Sequence, residues 1–388
     1  MDTSLAGQEL RKFVAPEFIF GWGARELAPR YAQNFGANHV LIVTDEGIKK
    51  VGWVEELITG LTEIGIHNTV FSQVSPNPRD VQVMKGAELY EKENCDLIIA
   101  VGGGSPMDCA KGIGVVSSNK RHILDFEGVD EVPIPAPPLI CVPTTAGTSA
   151  DVSQFAIIND SDRDVKIAII SKTVVPDVAL IDPAVTVTMN PYLTACTGMD
   201  ALTHAIEAYV SNAQSVVTDL HALEAIRIIT NNLEQAIQNP RDAEARSQMM
   251  LASMYAGLAF SNASLGAVHA MAHSLGGLLD LPHGECNSIL LEHVVAYNFD
   301  TVPDRYADIA KAMGIISESA GRNMKKELVH ALSTLRQKVG ITTSLGAIGV
   351  SQRTIPDLAA KAIMDPCMVT NPRNPTQEDI EKIYAAAI

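Results

Sequence analysis

The chain has 388 residues, a formal net charge of -16 and 47% hydrophobic positions. At roughly 150 residues per domain this is enough chain for two or three buried cores; aromatics at 5% with ordinary glycine and proline exclude collagen-like, low-complexity and disordered classes. The acidic balance argues against a nucleic acid or an anionic membrane surface as partner, and no apolar run approaches the roughly 18 residues of a membrane-spanning helix.

In chain order, FVAPEFIFGWG (13–23) reads as a short hairpin or edge element. HVLIVTD (39–45) is aliphatic and β-branched, hence a buried strand, and WVEELITGLTEIGI (53–66) follows with helical spacing that ends near Gly65. TVFSQV (69–74) is the next strand, VQVMKGAELYEKENC (81–95) the next helix, and DLIIAVGGG (96–104) a strand running into glycines; PLICVPTT (138–145) supplies another strand. Strands separated by helices imply right-handed βαβ units and a mostly parallel sheet. From about Pro191 the texture changes. YLTACTGMDALTHAIEAYVS and the three apolar stretches that follow it carry helical spacing, and strand-like runs vanish. The expected fold is α/β, a Rossmann-like parallel-sheet domain over 1–187 followed by an all-helical domain over 188–388. A cleft between two such domains is the usual place for cofactor and substrate. The start of the chain shows no secretory pattern, and the six scattered cysteines read as free thiols of a reducing compartment, so a cytoplasmic location is expected.

Two glycine-rich turns and one histidine cluster carry chemistry. Gly102, Gly103, Gly104 and Ser105 follow an apolar strand and open a helix, so the backbone can approach a pyrophosphate whose charge the helix N-terminus favours. The pattern is neither GxGxxG nor a Walker loop. Asp45 closes the strand HVLIVTD, where a carboxylate either binds an adenosine ribose or caps the next helix. TTAGTSADVS (144–153) is a second small, hydroxyl-rich turn after a strand. In GMDALTHAIEAY, Asp200 and His204 stand at i and i+4; His269 and His273 are one turn apart, and His283 follows a loop. One carboxylate with neutral imidazoles and no thiolate suits Fe²⁺, Zn²⁺, Co²⁺, Ni²⁺ or Mn²⁺. Spacing alone does not choose three ligands among His204, His269, His273 and His283, and Cys286 reads as a buried thiol.

Taken in order, GWGA, GGGSPMDCAK, PTTAGT, GMDALTHAIEAY, HAMAHSLGG, PHGECN and TNPRNPT resemble the iron-containing (group III) alcohol dehydrogenases over essentially the whole chain. The resemblance implies reversible hydride transfer between a primary alcohol or aldehyde and NAD, with one divalent metal, Fe²⁺ first and Zn²⁺ second, acting as a Lewis acid. It assigns the metal to Asp200, His204, His269 and His283, and a proton relay beside it to His273. It assigns cofactor contacts to Asp45, Gly102, Gly103, Gly104, Ser105, Asp108, Thr144, Thr145, Thr148, Lys166 and Phe260. One departure stands out. Family members often read GTGSE where this chain has Gly147-Thr148-Ser149-Ala150-Asp151, and a serine replaces that glycine freely only where φ is negative. The resemblance and the edge element at 13–21 together imply a homodimer or larger homo-oligomer. Two rival expectations are a glycerol dehydrogenase-like or polyol-active relative, and a regulatory protein that keeps NAD and metal pockets without turnover.

Overall fold

The computed structural model describes residues 10–315 and 322–388. The aliphatic runs of the first half become strands, and the amphipathic stretches between them become crossover helices. In chain order these are β1 (Glu17–Phe20), α1 (Ala28–Asn34), β2 (His39–Val43), α2 (Glu46–Val51), α3 (Trp53–Glu63), β3 (His67–Phe71), α4 (Asp80–Lys92), β4 (Leu97–Gly102), α5 (Gly104–Asn119), β5 (Gly128–Val129), β6 (Leu139–Pro143), β7 (Phe155–Asp160), β8 (Val165–Ile170) and β9 (Val178–Ile181). Six strands pair in parallel in the order β1-β9-β6-β4-β2-β3. Both faces of this sheet are covered, which explains why its strands read as continuous apolar runs rather than alternating ones. Val40 and Ile42 of β2 pack with Ala28, Val54 and Leu61 of α1 and α3. Leu41 and Val43 point the other way, to Val83 of α4 and Ile113 of α5.

The 13–23 element is an edge strand with no return strand: β1 lies parallel to β9, Glu17 beside Val178. A second sheet, β5-β8-β7, is a small addition that the apolar pattern did not separate from its surroundings. Its β7–β8 hairpin turns at 161–164 and packs Ala156, Ile158, Ile167 and Ile169 against the α5 side of the large sheet. That hairpin carries Lys166 to the edge of the helical half.

After β9 every described element is helical: α6 (Pro191–Val210), α7 (Val216–Gln238), α8 (Ala243–Ala263), α9 (Ala267–Leu279), α10 (His283–Asn298), α11 (Pro303–Ala312), α12 (Arg322–Lys338), α13 (Ile355–Ile363) and α14 (Gln377–Ala387). α6 starts sharply because Asn190 caps it, accepting from Leu193 N at 2.8 Å, with Pro191 at the first helical position. From Thr194 to Val210 every residue of α6 is buried, so it is the central helix of a bundle, enclosed by α7, α8 and α10. Polar groups on such a helix must find partners inside the protein, and Asp200 and Glu207 do so at one place, beside His204. Among the described residues no helix is long and apolar enough to cross a membrane.

Candidate active site

Three elements deliver the polar cluster: the middle of α6, the first turns of α9, and the start of α10. Oδ1 of Asp200, Nε2 of His269 and Nε2 of His283 converge, with 3.7 Å from Asp200 to His269 and 3.8 Å from Asp200 to His283. The ligand-capable atoms of these three residues lie within 4.8 Å of one another. Burial would push the Asp200 carboxyl up, yet it is held well below the carboxylate range beside His269, whose imidazole Asp200 and Glu207 raise to about 9 against its own burial. His204 takes a different place. Its ring is stacked on His269 at 4.5 Å and on Phe260 at 4.3 Å between centroids, and its Nδ1 is buried without a hydrogen-bond partner. Burial holds His204 down to about 3 and His283 well below its ordinary value, so both imidazoles are neutral and carry free electron pairs at physiological pH. One carboxylate and two converging imidazoles, with a third neutral imidazole stacked beside them, are donors of the kind that hold a divalent ion.

His273 stands beside this cluster rather than in it. Its ring stacks on His283 at 5.3 Å, and its Nδ1 meets Asp365 Oδ2 at 2.9 Å. A carboxylate only accepts, so the proton sits on Nδ1 and Nε2 is left free. Asp365 is itself fixed by the Cys367 backbone N–H at 2.8 Å.

The two turns of the sheet domain pack on each other. A Cβ at Gly103 would meet Thr145 at 3.1 Å, one at Gly104 would meet Thr148 at 3.0 Å, and one at Gly102 would meet Pro106 at 2.5 Å. The three glycines are therefore required by close approach. Gly103, with φ -82, needs no left-handed backbone. Gly104, Ser105, Asp108, Thr148, Lys166 and Phe260 line one cleft together with Asp200, His204, His269, His273 and His283. Asp45, Gly102, Gly103, Thr144 and Thr145 lie outside that lining. Thr144 is buried, its N–H donating to Gly102 O at 2.9 Å and its hydroxyl unpartnered. Asp45 caps α2, its Oδ1 accepting from Gly47 and Ile48 at 2.8 and 3.0 Å, which leaves Oδ2 for another partner. Inside the cleft, burial pushes Asp108 up to about 7 against the pull of Lys111 and Lys166, and burial lowers Lys166.

The N-terminal part matches the model of the iron-containing alcohol dehydrogenases over residues 15–183, and the C-terminal part matches the C-terminal model of the same family over 194–388. The chain belongs to the iron-containing alcohol dehydrogenases. It is 41% identical over 372 residues to the 1,3-propanediol dehydrogenase of Citrobacter freundii, covering 95% of this chain and 96% of that protein. It is 39% identical over 378 residues to the NAD-dependent methanol dehydrogenase of Bacillus methanolicus, covering 97% and 99%. A solved 1,3-propanediol oxidoreductase superposes with a TM-score of 0.95 at 38% identity, covering 98% of this chain and 100% of that one. This iron-containing alcohol dehydrogenase is thus a metal-dependent oxidoreductase of the alcohol and aldehyde class, and its Asp200-His269-His283 cluster is a group of side chains able to hold a divalent ion.

Three residues that shape the dehydrogenase site escaped the sequence reading. Glu207 accepts from His269 Nδ1 at 2.6 Å and from Val268 N at 2.7 Å; it follows Asp200 by seven positions on the same face of α6, a signal that was present. Asn287, one turn after His283 on α10, touches Asp200, His269 and His283. Asp365 lies 92 positions from His273, and no local pattern connects them. The departure at Ser149 has a clear structural answer. Its φ is +51, the left-handed region, so the serine is held against its preference by its hydroxyl, which donates to Ser253 O at 2.6 Å.

Proposed function

We propose that this enzyme interconverts a primary alcohol and an aldehyde with NAD(H) as hydride partner, using one ion, iron(II) first and zinc the alternative. The reading is carried by one observation: the convergent donors of Asp200, His269 and His283 open onto the cleft that the Gly104–Ser105 turn also lines. The ion would supply Lewis-acid stabilisation of charge on the substrate oxygen, and the nicotinamide a carbon that gives or takes hydride. Asp200, His204, His269 and His283 form the proposed ligand set. Glu207 keeps the proton of His269 on Nδ1 so that Nε2 faces Asp200. The Gly102–Ser105 turn and the α5 N-terminus bind phosphates. Asp45 Oδ2 binds an adenosine ribose and disfavours a 2′-phosphate. Asp108, Thr144, Thr145, Thr148 and Lys166 complete the cofactor contacts, and Phe260 fixes His204 where the nicotinamide would lie. His273 Nε2 moves a proton between substrate and solvent while Asp365 holds the other ring proton.

We assign residues 1–187 to cofactor binding and 188–388 to the metal and substrate. A homodimer or larger assembly is supported by β1, an edge strand with Phe18, Phe20 and Trp22 exposed. A cytoplasmic site of action is supported by six buried free thiols. The test is metal analysis of anaerobically purified protein, with NADH absorbance followed over short alcohols, diols, glycerol and aldehydes. Stoichiometric metal with NADH formed from primary alcohols is expected. Metal-loaded protein that binds NADH but turns over no alcohol or aldehyde would refute the reading.

A further inference from the structure

Asn287 is fully buried on α10. Its Nδ2 lies 2.6 Å from Asp200 Oδ1 and 3.1 Å from Nε2 of both His269 and His283. An amide nitrogen donates and never accepts, and its two hydrogens serve at most two of these three atoms at once, Asp200 Oδ1 at the shortest distance first. The Oδ1 of the same side chain is buried with no hydrogen-bond partner. The orientation is dictated by Asp200, because an amide oxygen that close to a carboxylate oxygen would be repelled. The orphaned Oδ1 is offset by the hydrogen bonds its NH₂ makes within the cluster.

We propose that Asn287 is the placeholder of the metal centre. Its NH₂ occupies the space among Asp200, His269 and His283 before an ion enters, and it turns over when the ion arrives, bringing Oδ1 to the cation. The proposal rests on the reading of those three residues as metal ligands. A divalent ion needs each N or O donor at roughly 2.0–2.2 Å. Two amide hydrogens, each carrying positive charge, cannot remain against it. The terminal torsion of asparagine is soft, and exchanging N for O preserves the packed shape, so the turn requires no movement of α10. The orphaned oxygen then gains a partner. Asn287 is in this sense a positioning residue, keeping the ligands of α6, α9 and α10 together for the ion and yielding to it.

Two measurements test this. Structures of the wild-type enzyme, stripped by chelator and then loaded with Co²⁺, should show the amide in opposite orientations. Nδ2 faces the ligands in the first and Oδ1 faces the ion in the second. Retention of Nδ2 between His269 and His283 in the loaded enzyme overturns the proposal without any variant. Stopped-flow uptake of Co²⁺, read by its visible absorption, should be about tenfold faster in Asn287→Ala, because no amide bonds need breaking first. A rate equal to or slower than wild type also overturns it, and shows an amide that merely supports Asp200. Wild-type enzyme that takes up no Co²⁺, and behaves as His283→Ala does, would instead sink the metal reading itself and this proposal with it.

Discussion

Glu207→Gln changes one atom and leaves the volume of the side chain alone, yet it removes the group that ties α6 to α9 at the metal centre. The carboxylate accepts twice, from His269 Nδ1 at 2.6 Å and from Val268 N at 2.7 Å, in the first turn of α9. That helix has no side-chain cap of its own at Gly266, so a negative charge there also complements its N-terminal dipole. A glutamine keeps one oxygen, and its NH₂ must then face one of the two donors. One charge-assisted bond is lost, worth about 1.5–3 kcal/mol of stability. The imidazole also loses the partner that fixes its tautomer, and removal of such a partner typically weakens metal binding about 10–100-fold, or roughly 1.4–2.7 kcal/mol. Chelator competition for Co²⁺ measures the affinity, and thermal unfolding of stripped and loaded protein measures the stability. NADH affinity should stay at the wild-type level, because the glycine turn lies in the other half of the chain. Co²⁺ affinity within about threefold of wild type, outside the range expected of an orienting carboxylate, would refute the role given to Glu207.

Four further outcomes follow from the same geometry. His283→Ala should empty the site and abolish alcohol oxidation while NADH still binds; His273→Ala should keep its metal and lose rate with an altered pH profile, and metal stoichiometry beside turnover separates them. Asp45→Asn keeps the cap on α2 and removes the charge, so it should narrow the preference for NAD over NADP; equal efficiency of the wild type with both cofactors would overturn the ribose assignment. Stability should fall as pH drops from about 6.5 towards 3, because the unfolded chain takes up a proton that buried His204 refuses; at pH 5 this one group contributes about 2 kcal/mol of loss, and bound metal is released over the same window. Ser149→Gly relieves left-handed strain of about 1–2 kcal/mol but forfeits the hydroxyl bond to Ser253 O, at about 1 kcal/mol, so the midpoint of thermal unfolding should rise slightly or stay put.

The sheet was legible because parallel strands buried on both faces leave uninterrupted aliphatic runs, and HVLIV and LIIAVG are such runs. The β5-β8-β7 sheet was not. Its two longer strands mix buried with half-buried positions, and its β5 is two residues long. The edge strand at 17–20 was readable as an element, but its partner is set by tertiary placement, since parallel pairing with β9 joins positions 161 residues apart. The glycine turn was read as a phosphate cradle, and the structure adds a packing reason for its glycines. Its glycines answer to Pro106, Thr145 and Thr148 across the gap, and no inspection of GGGS alone reveals that crowding.

The metal cluster shows where helical arithmetic succeeds and where it ends. Asp200 and His204 are an i, i+4 pair on one face; Asp200 has its carboxylate within 4.8 Å of the ring nitrogens of His269 and His283, while His204 stacks between His269 and Phe260. Extending the same arithmetic by one turn would have reached Glu207 on α6 and Asn287 on α10. Both escaped because a ligand search looks for residues that touch an ion and passes over those that hold ligands in place. Asp365 escaped for a stronger reason: the segment after α13 meets His273 through the packing of α13 on α9, which no local pattern encodes. A site built on a fully buried central helix imposes this outcome. Every polar group placed on α6 needs an internal partner, so each ligand recruits a second residue from another helix. The candidate ligands are readable within the segments of α6, α9 and α10 that carry them, and their supports become readable only once the bundle has closed around them.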